Sequence, residues 1–244
     1  MRRRGNAKRL LVVVPTYNEA ANLPTVYQRL FKAVGAGDLL IVDDASPDGT
    51  GRLADRFARR DRRVHVLHRT GKQGLGSAYV AGMQWAIQQG YALVVAMDAD
   101  LQHDPDNIPR LVELSRDYDL VIGSRYTYGG AMLNWGFFRL FISRSANWFL
   151  KLLLGAGPLD CTGGFKCYRA ELLARIGLEK VFSPGYSFQV EILYRALQHG
   201  ARVVETPIQF NLRHFGESKL NVREVSGFFW TVLKLRFLTL LGRV

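Results

Sequence analysis

The chain has 244 residues, of which 48% are hydrophobic, so it is long enough for one large domain with a sizeable core. Its 33 Lys and Arg residues outnumber 21 Asp and Glu, and the formal net charge of +12 favours an anionic partner such as a phosphate, a nucleic acid or an anionic membrane surface. The sequence contains no run of ~18 uncharged apolar residues, so no membrane span is predicted. Cys161 and Cys167 lack the second cysteine pair or nearby His of a zinc site, so we interpret them as ordinary thiols in a reducing compartment.

The N-terminal half alternates short apolar runs with helical patterns, as expected for parallel βαβ units. The first run, residues 10–14, is too short for a signal peptide and ends at Pro15, so we expect a strand. Asn18 is predicted to cap the following helix. Glu19 either favours that helix start or, together with Tyr17, faces a ligand crevice.

Two acids follow the second apolar run, residues 39–42. Acids at this point of an α/β sheet commonly meet the ribose or base of a nucleoside, so Asp44 is predicted to do so. For Asp43 the functional and structural interpretations are equally supported. The glycines after a third strand fit neither the dinucleotide fingerprint nor a P-loop, and they predict a tight turn close to a ligand.

An acidic motif comes directly after the fourth apolar run, residues 93–97. Unpaired carboxylates are too costly to bury inside a strand, so Asp98 and Asp100 must lie where the strand ends, at the sheet edge where ligands bind. Together with the amide of Gln102 they suit Mg2+ or Mn2+. The spacing lacks the Gly and Glu of a calcium-binding loop, and nothing nearby marks an aspartyl-phosphate nucleophile. Arg125 follows the next strand and is expected at the same edge.

Two later segments, residues 134–155 and 225–244, mix aromatics and leucines with cations. This composition predicts amphipathic helices that lie on a membrane surface, with a packed core helix as the alternative. Residues 213–220 are predicted to form a basic loop that is either a lid over phosphates or a solvated turn, and local sequence supports both equally. Gln189 and Glu191, near a helix start, are either solvated or face the site.

Eight motifs, in order, resemble those of the polyprenyl- or dolichyl-phosphate mannose synthases within family 2 glycosyltransferases. They cover residues 11–220 and read VVVPTYNEAANL, IVDDASPDGTG, MDADLQHDP, VIGSRY, FISRSAN, DCTGGFKCYR, GYSFQVE and RHFGESKL. The resemblance implies an α/β GT-A fold, a Rossmann-like and mostly parallel sheet flanked by helices. The matching motifs place a glycosyltransferase domain at residues 1–220. The composition of residues 221–244 predicts a membrane-associated amphipathic helix and a peripheral location at the cytoplasmic face of the membrane. This segment departs from lipid-embedded relatives, which add several transmembrane spans.

The same resemblance assigns roles to single residues. The nucleoside would be held by Pro15, Tyr17, Glu19, Val42 and Asp44. The donor diphosphate would meet Asp98, Ala99 and Asp100, and the metal would bind to Asp98, Asp100 and Gln102. Closure over the donor would fall to Arg213 and Lys219. The acceptor phosphate would be received by Arg125, Arg139, Ser143 and Arg144. The catalytic set would be Asp98, Asp100 and Arg125.

The resemblance implies mannose transfer from GDP-mannose to a polyprenyl phosphate lipid with inversion, assisted by Mg2+ or Mn2+. Glucosyl transfer from UDP-glucose is the alternative, because few residues in these motifs read the sugar hydroxyls. A nucleic-acid-binding protein would show base-stacking or groove-reading motifs, and the sequence has none. A scaffold without catalysis would have no reason to keep Asp98, Asp100 and Arg213 together. The sequence leaves open whether a small membrane protein helps to anchor the chain.

Overall fold

The computed structural model describes residues 10–132, 137–210 and 222–242. Its centre is a seven-stranded sheet in the order β3-β2-β1-β4-β7-β5-β8, and β6 pairs with β9 in a separate two-stranded ribbon. The strands are β1 (Leu10–Thr16), β2 (Asp38–Asp43), β3 (Val64–His68), β4 (Leu93–Ala96), β5 (Leu120–Ser124), β6 (Ala131–Met132), β7 (Lys166–Arg169), β8 (Val203–Pro207) and β9 (Gln209–Phe210).

Six strands of the large sheet run parallel, which confirms the expectation of a mostly parallel sheet. The exception is β7, which lies antiparallel between β4 and β5. In that register Lys166 is the partner of both Ala96 and Ile122. The segment after Asp160 therefore enters the middle of the sheet from the edge where the other strands end.

Helices cover both faces of the sheet. They are α1 (Leu23–Val34), α2 (Thr50–Arg60), α3 (Leu75–Gln88), α4 (Ile108–Leu114), α5 (Phe137–Leu154), α6 (Ala170–Arg175), α7 (Phe188–Gln198) and α8 (Val222–Leu240). Alternate residues of β1 point to opposite faces, so Leu11 and Val13 join one core while Val12 and Val14 join the other. The first core includes residues of α3, α5, α6, α7 and α8, and the second includes residues of α1, α2 and α4.

The first helix begins later than the sequence predicted. Asn18 is not its cap, because its φ of 61° places it in a left-handed turn before the helix. The carbonyl of Glu19 accepts the N–H groups of Asn22 and Leu23, and α1 starts only after this turn, with a proline in its first turn. Proline favours that position because it fixes φ and lacks an N–H that would stay unpaired there. The prediction of Asn18 as the cap was wrong.

Helix α3 packs against β1 and β2 at very short range. A Cβ added at Gly82 would stand 2.4 Å from Val13 Cγ1 and 3.2 Å from Val42 Cγ2. Glycine is therefore the residue that lets the helix backbone reach the sheet. This contact fixes the distance of α3 from β1 and β2.

The two segments predicted to be amphipathic form α5 and α8, which pack on each other. On α8, Val232 and Leu235 are buried, whereas Trp230 and Phe237 are 66% and 61% exposed. Within residues 10–132, 137–210 and 222–242, none of the helices combines the length and apolarity that crossing a bilayer requires.

Candidate functional site

A cleft of about 610 Å³ opens where β1, β2 and β4 end. The cleft is lined by seven residues that the sequence assigned to the donor, namely Pro15, Tyr17, Glu19, Asp44, Asp98, Ala99 and Asp100. Its other walls come from the end of β1, the loop before α3 with the first turn of α3, the turn before α7, and α8. They are formed by Thr16, Lys72, Gln73, Gly74, Leu75, Ala78, Pro184, Gly185, Tyr186, Ser187 and Gly227. The structure thus brings together residues from four separate motifs.

Backbone strain concentrates around this cleft. Within the described ranges, the residues other than glycine with positive φ are Asn18 (61°), Ala45 (55°) and Leu101 (63°). Each follows one of the strands β1, β2 and β4 by two to five residues. Such conformations cost about 1–3 kcal/mol each and persist where the surrounding contacts hold them, commonly at functional sites.

Asp98 is fixed from two sides. The Tyr79 hydroxyl donates to Asp98 Oδ1 at 2.7 Å, and the Asp98 backbone N–H donates to His103 Nδ1 at 3.1 Å. Burial, together with the negative charge of Asp98, raises the pKa of Tyr79 well above its usual value, so the phenol keeps the proton that it donates. His103 is itself held between aromatic rings, stacked on Phe165 at 5.1 Å with Phe210 edge-on at 5.3 Å.

Asp100 and Gln102 lie deeper than Asp98. Their residues are only 7% and 6% exposed, and the Gln102 N–H donates to Asp100 Oδ1 at 3.1 Å. The positive φ of Leu101 bends the chain between them, which is why two polar residues can turn back toward the strand end. Asp98 and Asp100 line the cleft, whereas Gln102 is not among the residues that do.

This donor set fits a hard divalent cation such as Mg2+ or Mn2+, which takes carboxylate and amide oxygens. Among the described residues, no group of three His, Cys, Asp or Glu side chains is arranged to hold a metal. A cation at Asp98, Asp100 and Gln102 would therefore need further oxygens from water or from a bound phosphate, as Mg2+ usually does.

Asp44 holds the loop that precedes α3. Its Oδ1 accepts from Arg69 Nη1 at 2.6 Å, and its Oδ2 accepts the N–H groups of Gln73 and Gly74 at 3.1 and 2.8 Å. The same loop places Lys72 Nζ 4.1 Å from the ring centroid of Tyr17, a cation–π contact at the cleft wall. Asp44 therefore shapes the wall and lines it at the same time.

Asp43, in contrast, stabilises the turn that follows β2. Its carboxylate accepts from the hydroxyls of Thr16 and Ser46 and from the Ser46 N–H. Asp43 is 3% exposed and does not line the cleft. The structure thus favours the structural interpretation for this residue.

Arg125, at the end of β5, forms a buried ion pair. Its Nε and Nη2 donate to the two carboxylate oxygens of Asp160, each at 2.7 Å, and Nη2 also donates to Thr162 Oγ1 at 2.8 Å. Burial opposes the charges, but each partner outweighs it, so the pKa of Asp160 is lowered and that of Arg125 is raised. Arg125 does not line the cleft, and its contact with an acceptor stays a prediction.

The other acceptor candidates lie on α5. The Tyr126 hydroxyl donates to Ser143 Oγ at 2.7 Å, which ties α5 to the segment after β5, and Arg144 is exposed. The side chain of Arg139 falls outside the described part, as do Arg213 and Lys219. Val42, assigned to the nucleoside, is fully buried within β2 and contacts the opposing helix rather than the cleft.

The segment before α7, which forms one wall of the cleft, is held by Glu191, and this residue is fully buried. Its Oε2 accepts the N–H groups of Phe182 and Ser183, and its Oε1 accepts from Arg195 at 2.8 Å. Gln189 is also buried, and its side-chain and backbone carbonyls each accept from Lys166 Nζ at 3.2 Å. Neither residue is exposed to solvent. Glu191 stabilises the segment before α7, and Gln189 ties the start of α7 to β7.

Sequence reasoning missed the groups that hold the candidate site residues. Tyr79 and His103 hold Asp98, Arg69 holds Asp44, and Asp160 holds Arg125. Tyr79 has no local signal, since it stands where a dinucleotide fingerprint would have its third glycine and resembles any buried helix residue. His103 and Asp160 lie inside the motifs MDADLQHDP and DCTGGFKCYR, so the sequence marks both as candidate site residues. It does not indicate which residue each of them contacts.

One family profile and two relatives of known activity match most of this chain. The profile of glycosyl transferase family 2 matches residues 11–177. An undecaprenyl-phosphate mannosyltransferase of Micrococcus luteus is 49% identical over 213 residues, which cover 87% of this chain and 88% of that protein. A polyprenol monophosphomannose synthase of Mycolicibacterium smegmatis is 48% identical over 222 residues, 89% of this chain and 84% of that protein.

Solved structures with the same fold include the glucosyl-3-phosphoglycerate synthase of Mycobacterium tuberculosis. Its complex with uridine diphosphate aligns with a TM-score of 0.68 at 19% identity, over 95% of this chain and 81% of that one. A complex of that enzyme with Mn2+, uridine diphosphate and phosphoglyceric acid gives the same score over 96% and 78%. At this identity the likeness concerns the fold alone.

Proposed function

Because the chain belongs to glycosyl transferase family 2, we propose that it transfers mannose from GDP-mannose to a polyprenyl phosphate, with inversion at the anomeric carbon. The observation that carries the proposal is the near-50% identity to two polyprenyl-phosphate mannosyltransferases over almost nine-tenths of the chain. The cleft supports it, because acids from three motifs converge at the carboxyl ends of parallel strands, where nucleotides bind in such sheets.

The donor would lie along the cleft. Tyr17 and Asp44, on the side near β1 and β2, would meet the nucleoside, and Lys72 stands beside them as a positively charged neighbour. Asp98, Asp100 and Gln102 would hold Mg2+ or Mn2+. The bound cation would offset the negative charge that develops on the departing diphosphate. The complex of the M. tuberculosis synthase with Mn2+ and uridine diphosphate is a precedent for a cation beside a nucleotide in this fold.

The acceptor needs little activation by the chain. A phosphate monoester is largely ionised at pH 7 because its second pKa is ~6, so an acceptor oxygen can attack the anomeric carbon without a general base. One carbon–oxygen bond forms to the lipid phosphate while the bond to the nucleoside diphosphate breaks. Direct displacement turns an α-linked donor into a β-linked product. The tasks of the chain are to orient both phosphates and to exclude water.

The second substrate also explains the outer surface of α5 and α8. Trp148 and Leu152 on α5 are 65% and 66% exposed, as is Trp230 on α8 at 66%. Exposed aromatics on a chain of net charge +12 suit an anionic membrane surface, from which a polyprenyl phosphate would reach the site. We therefore propose that the protein acts at the cytoplasmic face of the membrane as a peripheral protein.

The test is a turnover assay with polyprenyl phosphate, Mn2+ or Mg2+, and either GDP-mannose or UDP-glucose. Mass spectrometry of the organic extract should find a mannosyl-phosphoryl lipid only with GDP-mannose and a cation. We expect Asp100→Ala to lower the rate by at least ~100-fold because the variant loses a ligand of the cation that would offset the charge on the leaving diphosphate.

Asp106→Ala is the matched control, since this acid directly follows the same motif but 66% of its side chain is exposed and it does not line the cleft. The control should keep its activity. A glucosyl lipid would overturn the donor and keep the mechanism. Full activity of Asp100→Ala would overturn the cation site.

A further inference from the structure

We propose that Tyr79 is a positioning residue that fixes the Asp98 carboxylate for the divalent cation and the donor diphosphate. The inference rests on the proposed function, because it assumes that the acids after β4 meet a cation. Tyr79 lies outside the motifs that resemble the family, so the resemblance gives it no role. Its hydroxyl nevertheless donates to Asp98 Oδ1 at 2.7 Å, a charge-assisted hydrogen bond of the stronger kind.

The tyrosine ring is held rigidly enough to aim that hydroxyl. Tyr79 is fully buried on α3, and its ring stacks on Phe188 with centroids 5.7 Å apart and an angle of 2° between the planes. One turn earlier on α3, a Cβ added at Gly76 would stand 2.8 Å from Phe188 Cβ and 3.0 Å from the Ser183 carbonyl. Helix α3 and the start of α7 are thus in close contact, and the phenol cannot swing away from Asp98.

Asp98 is the more exposed of the two acids that follow β4 and line the cleft. It follows the last residue of β4 by two positions, and its side chain is 26% exposed, whereas Asp100 is 7% exposed. His103 binds the backbone of Asp98, since its Nδ1 accepts the Asp98 N–H at 3.1 Å and lies 3.9 Å from Oδ2. The backbone is therefore fixed by His103, and the orientation of the carboxylate is fixed by Tyr79.

Hydrogen-bond partners of metal-binding carboxylates matter for affinity, and their mutation typically costs about 10–100-fold. Tyr79→Phe removes the hydroxyl and keeps the ring stack on Phe188. We expect the apparent affinity for Mn2+, measured by calorimetry in the presence of GDP, to fall by about 10-fold. Binding of GDP in the absence of a divalent cation should stay unchanged, which a general loosening of the core would not allow.

The chain offers a matched control in Tyr168, which is also fully buried. Among the described residues its hydroxyl has no hydrogen-bond partner. Tyr168→Phe therefore removes the same atom from the same kind of core without touching an acid. We expect Mn2+ affinity in this variant to equal that of the unchanged chain.

Asp100→Ala separates the inference from the proposed function. If Asp100→Ala loses the Mn2+-dependent binding of GDP and Tyr79→Phe keeps it in full, Tyr79 has no positioning role and the proposed function stands. Equal losses in Tyr79→Phe and Tyr168→Phe would also overturn the inference, because core packing would then be the cause. If the unchanged chain shows no Mn2+-dependent binding of GDP, the proposed function fails and this inference fails with it.

Discussion

Lys166 carries a charge inside the sheet, in the strand that runs against its neighbours. It is fully buried, and its Nζ donates to two carbonyl oxygens of Gln189. Burial lowers the pKa of Lys166 from 10.5 to about 8, although Asp160 nearby opposes the shift. Because the folded-state pKa lies below the unfolded one, the unfolded chain binds more protons between these values, and stability should rise with pH there.

A Lys166→Met variant isolates this contribution. The unfolding free energy of the unchanged chain minus that of the variant should rise by about 2 kcal/mol between pH 7 and pH 10. Urea denaturation at several pH values measures both free energies. Lys32→Met is the control for replacing a lysine at the exposed surface. A level difference for Lys166→Met would mean that burial does not change this lysine's affinity for protons.

Single residues of the site could be predicted where their chemistry is local. Asp98 and Asp44 follow strand patterns directly, and a carboxylate at a strand end already indicates a ligand. Their partners could not be predicted, because Tyr79 lies 19 residues from Asp98, and Arg69 lies 25 residues from Asp44. The crossing of α3 over the sheet brings Tyr79 to Asp98, and the pairing of β2 with β3 brings Arg69 to Asp44. No local pattern encodes either contact.

Helix α3 is the element on which the cleft depends, since it contributes to one wall and carries Tyr79. Its distance from the sheet is set at Gly82, where an added Cβ would stand 2.4 Å from Val13 Cγ1. We expect Gly82→Ala to lower the unfolding free energy by about 1–3 kcal/mol in urea titrations. The helix-propensity gain of about 1 kcal/mol does not offset this loss, because Val13 is a stiff β-branched side chain in a full core.

Gly227→Ala gives the opposite case in α8. Among the described residues, a Cβ at Gly227 meets nothing within 4 Å, so the substitution should raise the unfolding free energy by about 0.5–1 kcal/mol through helix propensity. Two Gly→Ala changes in helices should therefore have opposite signs. Equal effects would contradict the view that close contact, rather than propensity, decides the position of α3.

At the level of elements, the sequence predicted the parallel strands well, because long buried runs such as residues 93–97 have a clear pattern. It missed the direction of β7, since a strand of four residues carries no signal of orientation. The start of α1 was also misplaced, because Asn18 serves equally well as a cap or as a left-handed turn residue, and only the contacts of the loop decide between them.

The whole molecule presents an apolar face on one side of the sheet, built by α5 and α8. The two helices are in contact through Phe149 and Phe229, whose rings meet edge-to-face at 5.2 Å. Next to this contact, Trp230, Leu233 and Phe237 of α8 are 66%, 54% and 61% exposed. Membrane binding of such a face scales with the apolar area that enters the lipid interface and with attraction to anionic lipids.

We expect the double variant Trp230→Ser with Phe237→Ser to bind vesicles containing phosphatidylglycerol at least ~10-fold more weakly, because each large side chain contributes about 1.5–3 kcal/mol on burial. Sedimentation of the protein with the vesicles measures the affinity. The control is Arg56→Ser with Arg59→Ser on α2, exposed cations on the opposite face of the sheet. If net charge alone drove binding, this control would bind weakly and the aromatic variant would bind normally. The reverse result is expected, because insertion of the aromatic face requires direct contact with lipid, whereas cations on α2 face away from it.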